Sequence, residues 1–349
     1  KRVAEALGGH PLALHLWSPD EEIPEEGQAV QDFVQRTVLR RLTDEGLGTL
    51  DELSLSPLPL SVEELSVADG IAELDDSAVL RWMQSLVEPH HLIRNVRRAT
   101  VDEKIARELH TKAASIWSKR EGNRARRIEA HHRLNSGDEL DTEWLVESVA
   151  KISLEDSAAA AVLIDDAIQI NDEDNLRFTA IDLAFERGEP NIASEHIDSV
   201  SESPQKLIRK ARLARQQGDL QEAENLLQSA FELLPPAEVV RAKIASLVRT
   251  HDDRLPGQQT KVRSSQIEEI DLSRLPNADI ASASLALDLL RHAVAVESGS
   301  VETLANVRSS LVAQMGENHP RLALIDLRTL ITSKAEGSLE AAKEYIESE

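Results

Sequence analysis

The sequence predicts a mainly α protein, in which a compact core of short helices is followed by stacked helix pairs. Most apolar stretches have the i, i+3, i+4, i+7 spacing of an amphipathic helix, and sustained strict alternation is scarce. A pattern of glycine, alanine and proline also recurs in the second half of the chain. The 349 residues suffice for two or three structural units at roughly 100–200 residues each.

Charge and composition exclude several classes of protein. Lys and Arg number 39 against 62 Asp and Glu, a net charge of −23, so the average surface repels polyphosphate and anionic lipid. The absence of cysteine excludes disulfides, thiolate zinc sites and cysteine nucleophiles. No apolar run approaches the ~18 residues of a membrane helix and no signal peptide opens the sequence. We therefore expect a soluble cytoplasmic protein with no membrane partner.

The same composition resembles that of proteins from salt-loving archaea. Only 11 of the 39 basic residues are Lys, and aromatic residues make up 3%. In molar salt the screening length falls to about 3 Å, so a large net charge repels itself much less than in dilute buffer. We predict a halophilic archaeal source and a stability that rises with ionic strength.

The first half of the chain contains short helical segments. A helix around residues 33–42 precedes three others, expected near Leu47–Leu53, Val62–Leu65 and Ser77–Leu86. Asp75, Asp76 and Ser77 would cap the last of these. Short helices of this kind suit a helix-turn-helix core, and the domain they form is predicted to be winged-helix-like.

The next block, from His90 to Gly137, has helical spacing through Ile105–Trp117 and Ile128–Leu134. Between His90 and Arg133 there are twelve Lys or Arg and five Asp or Glu, so this segment is basic within an acidic chain. One interpretation is an internal electrostatic seam against acidic repeats or an absent domain. The other is a surface that grips phosphates.

A helix-pair repeat is the strongest local pattern. In the segment that begins at Gln217, Gly218 provides an interhelical turn, small Ala223 and Ala230 let two helices approach closely, and Pro235 closes the unit. This logic is that of a tetratricopeptide-like (TPR-like) repeat. The Gly188–Gly218 interval of 30 residues is slightly shorter than the ~34 of that repeat, so the array is degenerate. Weaker copies are expected at Gly188–Val200, at Ala160 and Ala167, and at Gly337–Ala342.

Turn residues between Arg249 and Ala278 indicate a loop or hinge within the array. The expected divisions are the end of an upstream helical region at 1–17, the winged-helix-like domain at 28–100, a helical linker at 101–150, TPR-like repeats at 151–250, the loop or hinge at 251–279 and further TPR-like repeats at 280–349.

No catalytic constellation is present. The sequence lacks a phosphate-cradling G-x-x-x-x-G-K-[ST] loop, a G-x-G-x-x-G fingerprint and a nucleophile elbow. The histidines include the pairs at 90–91 and 131–132, but none has the i, i+4 spacing with an intervening glutamate that metalloproteases use. We therefore expect no catalytic residue, no metal site and no enzymatic activity in this chain alone.

The amino terminus carries a family resemblance. Gly8-Gly9-His10-Pro11-Leu12 resembles the Gly-x-Pro-Leu motif that ends the nucleotide-binding region of STAND NTPases, the signal-transduction ATPases that include the NB-ARC proteins. The resemblance implies that Pro11, with Gly9, packs against the adenine of a bound nucleotide and that a winged helix follows. The alternative is an ordinary helix junction, a glycine stop followed by a proline start.

A second motif occurs in the family's order. His90-His91-Leu92-Ile93-Arg94 resembles the Met-His-Asp-Leu motif, which implies a phosphate contact for His90. Pro89 stands where methionine is usual and His91 where aspartate is usual, and the β-wing expected before the motif is reduced to almost nothing. A structural or surface role for His90 remains the alternative. Three nearby arginines are candidate phosphate or interdomain contacts: Arg94, Arg97 and Arg98.

The resemblance covers about residues 1–140 and implies the carboxyl-terminal part of an archaeal STAND NTPase. Since the chain starts inside a helix and without methionine, we expect a fragment whose full-length form is an ATPase that binds ATP or ADP. The superhelix would receive a protein partner or ligand, and the winged helix would relay that contact to the amino-terminal NTPase domain. A plain protein-interaction scaffold is one alternative.

The other alternative is a DNA-binding transcriptional regulator with a TPR scaffold. In that case the helix at Ser77–Leu86 would enter the major groove, and arginines of the basic segment would hold phosphates. These arginines are Arg94, Arg97, Arg98, Arg124, Arg126 and Arg127.

Overall fold

The computed structural model describes residues 34–36, 38–254, 258–317, 319–333, 337–338 and 340–343. The chain divides into two compact units, Lys1–Ser199 and Val200–Glu349. This division falls inside the stretch where the first set of repeats was expected, 151–250. The amino-terminal segment 1–17, with Gly9 and Pro11, lies outside the described residues.

Besides a helical stretch at residues 34–36, the described part of the first unit contains nine α-helices and three strands. In chain order these are α1 (Asp44–Leu55), β1 (Leu60–Ser61), α2 (Ile71–Asp76), β2 (Leu80–Met83), β3 (Leu86–Pro89), α3 (His91–Thr100), α4 (Glu103–Trp117), α5 (Asn123–Ser136), α6 (Thr142–Ser153), α7 (Ser157–Ile170), α8 (Asp174–Glu186) and α9 (Pro190–Ser199). Short 3-10 turns lie at Leu39–Arg41 and Val62–Glu64.

Helices α1 and α2 and the three strands form a winged-helix-like domain. The strands make one antiparallel sheet in the order β1-β3-β2, with Leu60 opposite Val87 and Trp82 also opposite Val87. A two-residue turn at Gln84 and Ser85 joins β2 to β3, which makes the wing short. Buried Leu and Val side chains of α1, α2 and the sheet share one core with Ile93 of α3.

The predicted helix at Ser77–Leu86 is wrong, because this segment forms most of the β2-β3 hairpin. Val79, Leu80 and Met83 satisfy helical spacing, but the segment is short enough for the same residues to alternate along a strand. Leu80 and Val87 are buried at 6% and 0% exposure when β3 pairs with β1. The wing that the sequence seemed to lack is therefore present, and Asp75 and Asp76 end α2 instead of capping a later helix.

A tight approach between α1 and α2 fixes the orientation of these two helices. The Thr43 hydroxyl caps α1 by accepting from the Gly46 N–H at 3.1 Å, and the Glu73 carboxylate of α2 accepts from the Thr43 N–H at 2.9 Å. A Cβ at Gly70 would lie 2.6 Å from the Gly46 Cα and 2.6 Å from the Glu45 carbonyl oxygen. Only glycine fits at position 70.

The rest of the first unit is helical. Helices α4 and α5 cover the two predicted helices of the basic block, and α5 ends at Gly137 in the left-handed conformation. Helices α5 to α8 then share a second core, in which Ala160 and Ala167 are fully buried at 0% exposure. The turn at Gly188 has φ +71 and joins α8 to α9, as the repeat pattern predicted.

The described part of the second unit is helical as well. Its elements are α10 (Pro204–Gln217), α11 (Leu220–Leu233), α12 (Pro236–Asp252), α13 (Ser264–Glu268), α14 (Asn277–Ser298), α15 (Val301–Met315) and α16 (Pro320–Ser333), with a 3-10 turn at Leu272–Arg274. Helices α10 and α11 form the predicted repeat pair: Gly218 makes the turn, and Ala211, Ala214 and Ala223 are buried where the helices meet.

The segment predicted as a loop or hinge, 251–279, is largely packed. Helix α12 extends to Asp252, and α13 and the 3-10 turn follow. Val262, Ile267 and Leu275 are buried at 5% exposure or less in a core with residues of α12 and α14. Within the described residues, no helix combines the length and the apolar character needed to cross a membrane.

Candidate functional site

The candidate site in the first unit is the joint, which we define as the contacts between the winged-helix-like domain and helices α3, α4 and α5. Its central ion pair joins Arg97 of α3 to Asp51 of α1. The Arg97 Nη2 lies 2.9 Å from Asp51 Oδ2, and the Nε donates to Oδ1 of the same carboxylate. The two side chains are only 18% and 10% exposed, so the pair is bidentate and largely shielded from water.

The last carbonyls of α1 provide the next contacts of the joint. Carbonyl groups at the end of a helix have no partner within the helix. Arg98 donates to the carbonyl oxygens of Ser54 and Ser56 at 2.5 and 3.0 Å, and His131 Nε2 lies 3.2 Å from that of Leu55. Side chains from α3 and from the linker helix α5 therefore satisfy the end of α1.

A cluster of three histidines lies beside these carbonyls. His110 of α4 and His132 of α5 are buried, at 6% and 3% exposure, and their Nδ1 atoms are 2.8 Å apart. One ring must donate and the other accept, so at least the accepting ring must be neutral. His131 completes the cluster, with ring centroids 5.8 Å from His110 and 5.5 Å from His132.

Burial keeps this cluster uncharged at neutral pH. Burial, with a smaller effect from the positive charge of Arg98, lowers the pKa of His110 to about 4. Burial and the neighbouring histidines lower the pKa of His131 to about 4 and that of His132 to about 2. Within the described residues, no group of His, Asp and Glu is arranged to hold a metal ion, this cluster included.

Helix α5 is also fixed at its amino-terminal end. Arg124 donates to both carboxylate oxygens of Glu64 at 3.0 and 2.9 Å and to the Pro59 carbonyl oxygen at 2.6 Å. The hydrogen bond from Arg124 lowers the pKa of Glu64. Arg120 donates to the Glu64 carbonyl oxygen at 3.0 Å. Both ends of α5 are thus bound to the winged-helix-like domain.

The arginines of the basic segment form mostly internal contacts. Beyond the joint, Arg127 lies 2.8 Å from Asp156 before α7, and Arg126 is 3.4 Å from the Ser148 hydroxyl of α6. These contacts run from the linker to the first helices of the repeat region. Of the two interpretations of the basic segment, the geometry favours the internal electrostatic seam.

The structure brings four of the six predicted site residues together around α3. His90 is the residue before α3, half-buried, and its N–H donates to the Val79 carbonyl oxygen at 2.9 Å. Arg94 lies 3.3 Å from Glu88, whereas Arg97 and Arg98 bind groups of α1 and its end. Gly9 and Pro11 lie outside the described residues.

Sequence reasoning missed the most buried members of the joint. Asp51 gave no signal in so acidic a chain, and His110 is 22 residues from its partner His132. Only the packing of α4 on α5 brings the two rings together. The adjacent pair His131-His132 was the one visible clue.

The fold defined by these elements is a winged-helix-like domain followed by a TPR-like α-solenoid. It is similar to the crystal structure of a STAND protein (signal transduction ATPase with numerous domains) that has a tetratricopeptide repeat sensor, from Pyrococcus horikoshii. The TM-score is 0.55 at 13% sequence identity, and the match covers 99% of this chain and 55% of that one. The chain thus spans about half the length of the protein it resembles. No protein-family model and no curated protein matches the sequence.

Proposed function

We propose that this chain is the regulatory and sensor portion of a nucleotide-switched signalling ATPase. The superhelix binds a protein partner or ligand, and the winged-helix-like domain passes that event to an ATPase domain that precedes it in the full-length protein. The single observation that carries the proposal is the fold match, which spans almost this entire chain and just over half of a STAND protein with a repeat sensor.

The joint supports a mechanical relay. The shielded Arg97–Asp51 pair and the Arg98 contacts hold α3 to α1, and His131 holds the linker helix α5 to the end of α1. A ligand shifts a two-state switch only by the difference in its affinity for the two states. A firmly connected linker can transmit that difference, whereas a flexible linker would lose it.

In the full-length protein the nucleotide would be ADP or ATP, with Pro11 and Gly9 against the adenine and His90 near a phosphate. ATP hydrolysis would belong to the upstream domain, since this chain has no phosphate-cradling loop.

The DNA-binding alternative loses its recognition element, because Ser77–Leu86 is mostly a β-hairpin. Of its six proposed phosphate contacts, Arg97, Arg98 and Arg124 are bound to groups of the winged-helix-like domain. A mobility shift of duplex DNA by this chain at low salt would revive that alternative.

The relay is tested by ADP release from the full-length protein. Asp51→Asn removes the charge that holds Arg97, and we expect ADP release several times faster than in the parent protein. Glu103→Gln, which removes an 80% exposed partner of Arg107 on α4, is the matched control and should leave the rate unchanged. Equal rates in both variants and the parent would refute the relay.

A further inference from the structure

A cavity of about 420 Å³ lies in the second unit, among α11, α12 and α13. It is located where two hydrophobic cores meet without merging. Leu227 and Phe231 belong to the α10-α11 core, and Leu247 and Ile270 belong to the core around α12 and α14. All four side chains line the cavity and give its largely polar lining an apolar part. The size is that of a pocket for a small organic molecule.

Three cations face this cavity: Arg215 at the end of α10, Lys243 on α12 and Lys261 before α13. Two carboxylates, Glu224 and Glu269, also line it. The cavity is therefore positive by one charge in a chain whose net charge is −23. Such a local reversal of sign favours an anionic occupant.

Arg215 is the anchor of the site. Its hydrogen bond to the Ser246 hydroxyl is long, 3.4 Å from Nη2, and within the described residues Arg215 has no ion pair. The nearby Asp253 is already bound by Arg212 at 2.7 and 3.0 Å. Arg215 is half-buried, and this burial lowers the pKa of its guanidinium, against an opposing effect of the nearby carboxylates Asp253 and Glu224.

Two other shielded arginines in the chain bind a carboxylate with two hydrogen bonds: Arg97 binds Asp51, and Arg212 binds Asp253. A shielded guanidinium without such a partner is unfavourable, because its lost hydration is not replaced. The carboxylate of a bound ligand would replace the lost hydration with two parallel hydrogen bonds, the geometry that arginine prefers.

The two lysines that line the cavity also favour an acidic ligand. Lys243 lies over the Phe231 ring at 5.6 Å, and both Lys243 and Lys261 are exposed, with no ion pair in the part of the chain that the structure describes. Apolar lining residues, a half-buried cation and two exposed cations together fit a molecule with an apolar body and one acidic group.

We propose that this cavity binds a small amphipathic carboxylate, with its acidic group on Arg215 and its apolar body against Leu227, Phe231 and Leu247. That this molecule is the signal of the sensor rests on the proposed function above. Binding itself does not, and it is measured directly on this chain.

The probe is the fluorescent anion 1-anilinonaphthalene-8-sulfonate, displaced by 1-naphthylacetate or by its uncharged counterpart 1-naphthylacetamide. We expect the carboxylate to displace the probe at least ten times more effectively than the amide. Equal displacement by the two compounds would overturn the proposal. Displacement by an acidic hexapeptide but not by naphthylacetate would assign the cavity to a peptide and would also overturn it.

Variants localise the binding. Arg215→Gln should weaken naphthylacetate binding at least tenfold and Lys261→Gln about threefold. Arg241→Gln, on the same helix as Lys243 but paired with Asp279 outside the cavity, is the control and should bind as the parent does. Should Arg215→Gln unfold, which its circular dichroism would show, Lys261→Gln decides the question, since Lys261 is exposed. Unchanged binding in folded variants refutes the site. The ADP-release experiment is unaffected by either outcome.

Discussion

At the scale of single residues, the joint concentrates shielded charges that all have partners. Removing one partner of such a pair leaves the other charge without compensation, which costs more than the pair contributes. We expect Asp51→Asn to lower the free energy of unfolding by about 2–3 kcal/mol, measured by urea denaturation.

The exposed pair on α4 provides the contrast for that measurement. Glu103 and Arg107 are 80% and 57% exposed, and such i, i+4 pairs contribute only about 0.3–0.5 kcal/mol. Glu103→Gln should therefore change the free energy of unfolding by no more than this. If Asp51→Asn were as mild as Glu103→Gln, the joint would not be held by its ion pair.

The histidine cluster predicts a loss of stability on mild acidification. The pKa values of His110 and His131 are lowered to about 4 in the folded chain and that of His132 to about 2, against about 6.5 in an unfolded chain. Below pH 6.5 the unfolded chain therefore binds more protons than the folded chain. The free energy of unfolding should fall as pH drops from 6.5 toward 4, by up to ~1.4 kcal/mol per pH unit for each histidine.

The measurement is the slope of unfolding free energy between pH 6.5 and 5, a window above the range where most carboxylates titrate. His132→Gln keeps a neutral partner for His110 and should make the slope shallower. His91→Gln replaces an exposed histidine outside the cluster and should keep the parent slope. A parent protein whose free energy of unfolding is constant across this pH window would contradict the lowered pKa values of the histidine cluster.

At the scale of elements, the structure confirms the repeat turns that glycine predicted. Gly218 has φ +90, and a Cβ added there would meet nothing within 4 Å. Substitution therefore imposes backbone strain alone, and Gly218→Ala should lower the free energy of unfolding by about 1–2 kcal/mol.

Gly48 is the matched control, because alanine at this position is expected to change the stability in the opposite direction. It lies inside α1, where a Cβ would be 3.7 Å from Val67 Cγ1, an ordinary contact. Gly48→Ala should raise stability by up to about 1 kcal/mol, since alanine is the better helix former. Urea denaturation of both variants tests the pair, and a destabilisation by Gly48→Ala equal to that by Gly218→Ala would refute the conformational argument.

The elements show where sequence reasoning succeeds and where it fails. Helices α4, α5, α10 and α11 were predictable from their helical apolar spacing, and α5 and α10 also end at a glycine. The β2-β3 hairpin was not, because the apolar residues of so short a segment fit both periods and its partner β1 lies about twenty residues earlier. Pairing with β1 in the sheet, and not the apolar pattern of the segment alone, makes this segment a hairpin.

The candidate site was less predictable than the helices. Arg97 and Arg98 were identified as interaction residues, but their partners on and beyond α1 follow from packing over 42–46 residues of sequence. Arg215 gave no signal at all, because only the gap between two cores makes it part of a cavity. Local patterns specify elements, and sites arise where elements meet.

At the scale of the whole molecule, the net charge of −23 predicts that salt stabilises the protein. Screening should raise the melting temperature between 0.1 and 2 M KCl, because repulsion among unpaired carboxylates outweighs the small contribution of exposed ion pairs. Sucrose is the control: it is excluded from the protein surface but carries no charge, so it stabilises by exclusion without screening. An unchanged melting temperature in KCl would contradict the halophilic interpretation.

The central claim is that this chain reads a signal for a nucleotide-switched ATPase, and the nucleotide content of the full-length protein tests it most directly. The protein would be purified without added nucleotide, denatured, and its bound nucleotide measured by chromatography. We predict about one ADP per chain in the parent protein and markedly less in a Pro11→Ala variant. A folded full-length protein that carries no nucleotide and binds none when ADP is added would contradict the account.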